Sequence, residues 1–317
     1  MDWKRYYRNE CAAPGARETL ERWVRTADDT SLVAAVERGA VLSFPHTALA
    51  YAGPLQARVV RGLLDAGVDR ILALGVLHSG SLEVYRAALG EGGALDRRAE
   101  AFRAVSGAFF TEESEARTPL GAVPLWRPLG ARGTLRADRH GLLDAEFSLD
   151  TFLTACRAGA DAFGRRPIPV LAAYVGMTRD PASGSFSVAE DLGDWVRSEH
   201  AAGTAVVTTG DLVHYGTGYG EAWGPGGADR PTLAAALRAE VERCLGAALR
   251  DGDWSRAYAL SRGRLLNDQR EILPVLATTL GVPASHALLS FELSDYAPIL
   301  RVAPPCFVAS ALARYGE

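Results

Sequence analysis

The sequence predicts an α/β protein, a three-layer α/β/α sandwich built around a central mixed sheet. Two observations favour this class. Short apolar runs rich in β-branched residues and bounded by Gly, Pro or Asp are typical of buried strands. Segments with apolar residues at helical spacing alternate with these runs, which favours a sheet with helices on both faces. No repeat or linker divides the 317 residues, so we expect one domain over residues 1–317.

The apolar runs predict strands at Ala40–Phe44, Arg70–Leu74, Pro167–Val175, Thr204–Thr208, Ala287–Leu293 and Cys306–Ala311. Helical periodicity predicts helices at Ala16–Ala27, Pro54–Ala66, Ser148–Ala160, Val188–His200, Thr232–Arg250, Trp254–Ser261 and Asp268–Leu280. Pro54 is expected in the first turn of its helix, where its missing N–H costs nothing. Two ambiguous stretches, Ala104–Phe110 and Ala122–Trp126, are candidate extensions of the sheet.

Composition excludes several classes of partner. The net charge is −4, and acidic and basic residues are mixed along the chain without a basic block, so we expect no nucleic acid. No apolar run approaches the roughly 20 residues that span a bilayer, and the polar first residues resemble no secretory signal. The cysteines are spread out and contain no CxxC, which is typical of the cytoplasm. We expect a small-molecule partner and leave a homo-oligomer open.

Three of the six histidines share one context at the ends of predicted strands. His46 closes AVLSFPH, His78 closes ILALGVLH, and His214 closes AVVTTGDLVH with Asp211 three residues earlier. Ligands of open α/β sheets bind beyond the carboxyl ends of the strands, so these side chains can converge on one point. Neutral imidazole is the commonest metal ligand, and the pattern therefore predicts a metal site. A single histidine there could simply cap a loop. His200 and His286 are interpreted as solvated or structural, whereas His140, in the polar stretch RADRHG, is a candidate for the rim of the pocket.

Together these segments resemble the Memo family, whose fold is similar to that of class III extradiol ring-cleaving dioxygenases. SFPHTALAYAG, LGVLHSG and TTGDLVHYG are similar to family elements that carry the metal-site residues, and WKRYY and PIPVLAAYVG follow the family's order along almost the whole chain. The resemblance implies that His46 and His78 are metal ligands and that Asp211 and His214 belong to the site.

The sequence departs from the family at two places. EFSLDTFL replaces a family stretch with two histidines, so that Phe147 and Phe152 stand at those positions. The family's cysteine ligand is replaced in LLNDQREILP by Asn267 and Asp268, and Cys244 lies too early to serve instead. Asp268 would complete a 2-His-1-carboxylate triad, which is typical of non-haem Fe(II) oxygenases. The alternative is that Asn267 and Asp268 only cap the following helix. The metal ligands therefore stand as His46, His78 and either Asp268 or Asn267, with Glu271 as a fallback.

The hypothesis for function is a non-haem Fe(II) oxidoreductase of the dioxygenase kind, which uses O2 on a small polar or phenolic metabolite. His214 is expected to act as general acid and base, and Asp211 is expected to orient it. Zn or Cu in place of iron stays open. Two rival hypotheses are a zinc-dependent hydrolase and a non-catalytic metal-binding or peptide-binding module.

Substrate contacts are assigned to side chains near the histidines. Glu146 and Asp150 keep acidic character in the departed stretch, Tyr51 lies in the His46 element, and Tyr215 follows His214. The glycine-rich segment Gly216–Asp229, which carries Tyr219 and Trp223, is expected to be a long loop that forms one wall over the substrate or packs as an ordinary loop.

Overall fold

The computed structural model describes residues 1–78, 95–128, 133–220 and 229–316. Over these ranges a nine-stranded mixed sheet lies between two layers of helices. This architecture confirms the predicted three-layer α/β/α sandwich.

The strands of the described residues are β1 Val41–Phe44, β2 Ile71–Val76, β3 Ala108–Phe110, β4 Glu115–Thr118, β5 Gly121–Pro124, β6 Leu135–Ala137, β7 Val170–Val175, β8 Ala205–Thr209, β9 His214–Gly216, β10 His286–Asp295 and β11 Cys306–Tyr315. The sheet order is β10, β11, β1, β8, β2, β7, β3, β6, and β9 pairs with β11. β4 and β5 form a separate hairpin.

The helices are α1 Trp3–Ala12, α2 Ala16–Thr26, α3 Thr30–Glu37, α4 Leu49–Asp65, α5 Leu95–Val105, α6 Asp150–Ala162, α7 Ser187–Ala201, α8 Arg230–Leu245, α9 Trp254–Leu260, α10 Leu273–Leu280 and α11 Ala297–Leu300. α8 and α9 each run on into a wider π-helical turn, at Gly246–Arg250 and Ser261–Leu265. A 3₁₀ turn, Asp268–Glu271, precedes α10.

The centre of the sheet is parallel and buried on both faces. β1, β8, β2 and β7 are neighbours that run in the same direction. Alternate residues of β2 enter different cores: Leu72 and Leu74 pack on the side of α7, α8 and α10, whereas Ile71 and Ala73 pack on the side of α2, α4 and α6. Two-sided burial explains why these strands are uninterrupted apolar runs. The same parallel arrangement brings the carboxyl ends of β1, β8 and β2 to one edge.

Several predicted boundaries need correction. α4 begins at Leu49 because the carbonyl of Ala48 accepts the first helical hydrogen bonds, so Pro54 lies inside the helix and not in its first turn. The predicted helix Asp268–Leu280 is a 3₁₀ turn followed by α10. Of the two ambiguous stretches, the first supplies β3 of the central sheet, whereas the second supplies β5 of the hairpin. The short helices α1 and α3 were not predicted.

Helix length and composition also bear on membranes. Among the residues that the structure describes, no helix combines the length and the apolar character needed to cross a bilayer.

The aromatic pair Phe44 and Phe152 fixes α6 against the sheet. The two rings stack with their centroids 4.3 Å apart and an interplanar angle of 20°, and both side chains are fully buried. Phe152 stands where the resemblance places a histidine, and here it is a core residue, not a site residue.

We expect Phe152→Ala to lower the free energy of unfolding by about 3–5 kcal/mol, because it opens a cavity in the core. Denaturant titration would measure this loss. Phe163→Ala, at a ring that is 38% exposed, is the matched control and should cost less than about 1 kcal/mol. An equal loss in the two variants would contradict the assignment of Phe152 to the core.

Candidate metal centre

Three strand ends deliver the polar side chains of the site. His46 lies two residues beyond β1, His78 two residues beyond β2, and Asp211 two residues beyond β8. His214 opens β9, the strand that pairs with β11. These four side chains and Asp268 line one cavity of about 950 Å³. The convergence predicted from the strand ends is therefore present in the structure.

His46 is a buried imidazole with a fixed tautomer. Its Nδ1 lies 3.3 Å from the hydroxyl of Thr209, and that hydroxyl donates its single hydrogen to the carbonyl of Phe44 at 3.1 Å. The hydroxyl can therefore only accept, so Nδ1 carries the proton and Nε2 presents a lone pair to the cavity. Burial and the nearby charge of His78 lower the pKa of His46 to about 3, which keeps the ring neutral.

His78 is held by the buried carboxylate of Glu146. Its Nδ1 donates to Oε1 at 2.9 Å and its main-chain N–H donates to Oε2 at 2.8 Å. The ring also stacks on Phe147, with centroids 4.2 Å apart. Burial alone lowers the pKa of His78, but the charge and the hydrogen bond of Glu146 outweigh it and raise the pKa to about 9. Burial opposes ionisation of Glu146 as well, yet His78 and the main-chain donors lower its pKa overall.

His214 is oriented by a main-chain carbonyl. Its Nδ1 donates to the oxygen of Leu266 at 2.8 Å, so its Nε2 also faces the cavity with a lone pair. Leu266 adopts the left-handed conformation, with φ 48°, directly after the π-helical turn that ends α9. A residue with a β-carbon is strained in this conformation, and such residues occur where the surrounding structure requires it. Here the conformation ends the helix and turns the Leu266 carbonyl toward the imidazole.

Asp268 supplies a carboxylate oxygen that no hydrogen bond satisfies. Its Oδ2 lies 3.4 Å from Nε2 of His46 and 3.8 Å from Nε2 of His214. In the neutral rings both of these nitrogens lack a hydrogen, and this buried oxygen has no hydrogen-bond partner among the described residues. Burial raises the pKa of Asp268, but the three histidines outweigh it and lower the pKa overall. A buried carboxylate oxygen without a hydrogen bond is suited to bind a cation.

The segment that carries Asp268 is fixed from both sides. The Asp268 N–H donates to the carbonyl of Asp211 at 3.1 Å. Gln269 donates to the hydroxyl of Ser43 on β1 at 2.6 Å and accepts from the hydroxyl of Tyr315 on β11 at 3.0 Å. Gly210 permits this close approach, since a β-carbon there would lie 2.6 Å from the Gln269 side chain. The carboxylate is thus tied to the strands that carry the histidines.

Asp211 is the second carboxylate of the site. Its Oδ1 accepts the main-chain N–H of His46 at 3.2 Å, and its Oδ2 lies 3.8 Å from Nε2 of His46 and 4.0 Å from Nε2 of His214. Burial and the charge of Asp268 raise the pKa of Asp211 well above its usual range. The expected role of Asp211 as the residue that orients His214 is wrong, because the Leu266 carbonyl holds Nδ1.

The donor set fits a divalent cation. Ligand atoms about 2.0–2.2 Å from one metal lie roughly 3–4 Å apart. The distances from Asp268 Oδ2 to the imidazoles of His46 and His214, 3.4 and 3.8 Å, fall in this range. The ligand atoms of His46, His78 and Asp268 lie within 4.8 Å of one another, as do those of Asp211, His214 and Asp268.

Asn267 and Glu271, the alternative ligands, are engaged elsewhere. The side-chain oxygen of Asn267 accepts from the N–H of Gln269 at 2.7 Å and caps the 3₁₀ turn, and Asn267 does not line the cavity. The carboxylate of Glu271 accepts from the main chain and hydroxyl of Thr178 and from the hydroxyl of Tyr258. Asn267 is thus a cap and not a candidate ligand, and Asp268 is the residue of this segment that presents a ligand atom to the cavity.

The assigned substrate contacts also need correction. Tyr51 lies outside the cavity, is 37% exposed and donates to the carbonyl of Asp295. Tyr215 is buried in the core, where its ring stacks on Phe307. Glu146 holds His78 instead of facing the cavity. Asp150 lines two neighbouring cavities but not the one with the histidines.

Two of the remaining histidines are structural, and part of the glycine-rich segment reaches the cavity. Both ring nitrogens of His200 bond to main-chain carbonyls, and His286 lies 3.2 Å from a carboxylate oxygen of Glu242, so both are structural. Tyr219 lines the cavity and packs edge-on against His214, whereas Trp223 lies outside the described residues. The expected wall is therefore present at Tyr219.

The cavity also contains aromatic residues that the sequence did not point to. Trp3 and Tyr7 reach it from α1, and Tyr296 reaches it from the turn after β10. An available signal was the aromatic spacing in WKRYY, because Trp3, Tyr6 and Tyr7 lie on one side of a helix. For Tyr296 the sequence holds no such signal.

No family model matches this sequence, and no curated protein matches it either.

The first prediction from the site concerns Asp150. Burial raises its pKa to about 6, and its Oδ2 has no hydrogen-bond partner among the described residues. A carboxyl whose pKa is higher in the folded state stabilises the fold fully below about pH 4, and this contribution is lost as the pH rises through 6. We therefore expect Asp150→Asn to be more stable than wild type at pH 7.5, by at most about 3 kcal/mol. Denaturant titrations at pH 7.5 and pH 4 test this. If the free energies of unfolding of variant and wild type differed equally at the two pH values, the prediction would be contradicted.

The second prediction concerns metal affinity. Because the pKa of His78 is about 9, metal binding near neutral pH must displace its proton. Wild-type affinity should rise about tenfold from pH 7 to pH 8. Glu146→Gln removes the charge that raises the pKa of His78, so the metal affinity of this variant should change less between pH 7 and pH 8. At pH 9 the variant should bind about 10–100-fold more weakly, because it loses a partner of a ligand.

Competition with a chelator of known affinity measures both quantities. Asp150→Asn is the matched control, since it neutralises a buried carboxyl of the same segment that does not contact a histidine. A pH dependence in Glu146→Gln as steep as in wild type would contradict the role of Glu146.

Proposed function

We propose that this protein is a non-haem Fe(II) oxidoreductase that uses O2 on a small polar or phenolic molecule. The observation that carries the proposal is the set of His46, His78 and Asp268, whose two imidazoles and unpartnered carboxylate oxygen share one cavity, with their ligand atoms within 4.8 Å of one another. Two histidines and one carboxylate on one side of a metal leave positions open for substrate and O2. The Memo-like order of motifs and the related dioxygenases support the same function.

Bound Fe(II) would supply open coordination positions and electrons that O2 and the substrate share. The chain supplies the proton chemistry. His214 Nε2 lies 3.8 Å from Asp268 and faces the cavity, so it can take a proton from a substrate hydroxyl and later return it. The Leu266 carbonyl keeps Nδ1 protonated throughout, so the proton is taken up and returned at Nε2.

The walls of the cavity favour a small molecule with a flat apolar part. Phe147, Trp3, Tyr7, Tyr219 and Tyr296 contribute aromatic surface around the polar centre. Aromatic walls exclude water from the reacting atoms and strengthen the electrostatic interactions among them. The proposal includes a cytoplasmic location, which the buried, unpaired cysteines of the described residues support.

Metal content after anaerobic purification tests the proposal. We expect about one iron per wild-type chain, and a loss of at least about tenfold in affinity in His46→Ala and in Asp268→Ala. His140→Ala, at an exposed histidine outside the cavity, should bind like wild type. The iron-loaded protein should consume O2 in the presence of a substrate found by screening.

Other outcomes would favour the rival functions. A protein that holds only zinc and acts without O2 would be a hydrolase, and one that holds copper would need a different oxidation chemistry. Absence of any metal, even after reconstitution, would favour a non-catalytic binding module. Retention of iron in Asp268→Ala would contradict the ligand assignment.

A further inference from the structure

Two buried tyrosines meet at the wall of the metal cavity. Tyr7 comes from α1 and Tyr296 from the turn before α11, and both line the cavity that holds the histidines. Their side chains are 4% and 2% exposed, and the phenol oxygens lie 3.5 Å apart. Trp3 stacks on Tyr7 with an interplanar angle of 17°, which holds that ring in place.

The hydrogen bonds of this pair are incomplete. The Tyr296 oxygen accepts the N–H of Ala48 at 2.6 Å, which satisfies part of its acceptor capacity but none of its donor capacity. The contact between the phenols is long for an O–H···O hydrogen bond, whose usual length is about 2.7–2.8 Å. That contact uses at most one of the two hydroxyl hydrogens. At least one phenol hydrogen therefore has no acceptor among the described residues.

We propose that the Tyr7–Tyr296 pair receives a carbonyl or carboxylate oxygen of the substrate. One oxygen can lie about 2.7 Å from each of two phenol oxygens that are 3.5 Å apart. The pair then acts as a double hydrogen-bond donor for a single ligand atom. The inference rests on the proposed function only in taking this cavity as the substrate site.

The surroundings define the class of ligand further. The basic side chains of Lys4, Arg5 and Arg8 line the cavity, together with the exposed Asp2 and Asp144. Basic side chains attract an anionic or strongly dipolar oxygen.

Farther in, Phe147 and Trp3 offer aromatic surface, whereas the phenols donate without adding charge beside Asp211. The ligand is thus a flat molecule that carries a carboxylate or a conjugated carbonyl.

Benzohydroxamate is a suitable probe, because it combines a flat ring with two oxygens that chelate a metal, one of which is a carbonyl oxygen. Its dissociation constant would be measured calorimetrically on protein loaded anaerobically with Fe(II). We expect Tyr296→Phe and Tyr7→Phe each to weaken binding about 3–10-fold, which is typical of one lost hydrogen bond. The double variant should lose about 10–100-fold.

Tyr51→Phe is the matched control, since Tyr51 packs against the Tyr296 ring but directs its hydroxyl to Asp295 outside the cavity. Its affinity for the probe should equal that of wild type. A fluorinated tyrosine at position 296 separates a donor from a packing role. Its more acidic hydroxyl should tighten binding, whereas a packing role predicts no gain.

The failures are distinguishable. If Fe(II) does not bind, the proposed iron chemistry falls, and the probe is then tested on zinc-loaded protein. If the metal binds but both Phe variants hold benzohydroxamate as tightly as wild type, the phenol pair holds no ligand oxygen and this inference alone is overturned. Failure of the loaded wild type to bind the probe overturns it as well.

Discussion

A buried carboxylate oxygen without a hydrogen bond is the constraint around which this structure is arranged. Leaving such a group unpaired costs roughly several kcal/mol, and Asp268 Oδ2 faces the Nε2 atoms of two imidazoles, His46 and His214. Asp268 stays in this position because Gln269, its neighbour, is hydrogen-bonded to the two strands β1 and β11. A cation placed between these atoms would turn the same contacts into stabilising ones.

Tautomer control is the second layer of the arrangement. The three histidines use Nδ1 for three different acceptors: a hydroxyl at Thr209, a carboxylate at Glu146 and a main-chain carbonyl at Leu266. In each case Nε2 is the ring nitrogen directed to the cavity. Hydrogen bonds of this kind orient metal ligands and raise their basicity. Only the partner of His78 is charged, and it raises the pKa of His78, so this histidine binds a proton strongly when no cation competes.

Local patterns in the sequence predicted the parts of the site that follow strands. Buried parallel strands are recognisable as apolar runs, and their carboxyl ends meet at one edge, so His46, His78, Asp211 and His214 could be placed together. Asn267 and Asp268 could not be told apart, because both are good helix caps and only the tertiary contacts decide which one caps. Tyr7 and Tyr296 are separated by 289 residues, and nothing local indicates that they meet. The start of α4 was misplaced because the proline signal outweighed the capping carbonyl of Ala48.

Charge balance connects the two layers. Burial and the charge of Asp268 raise the pKa of Asp211 well above its usual range, whereas the pKa values of Asp268 and Glu146 are lowered. With the His78 proton displaced, the charges of the Asp268 and Glu146 carboxylates together equal the charge of one divalent cation. A monovalent or trivalent ion would leave a net charge in a poorly solvated cavity, which is costly. The neutral phenols of Tyr7 and Tyr296 preserve this balance, since they offer hydrogens to a ligand without a further buried charge. On the proposed function, the Glu146 carboxylate behind His78 would therefore favour a divalent ion together with the candidate ligands.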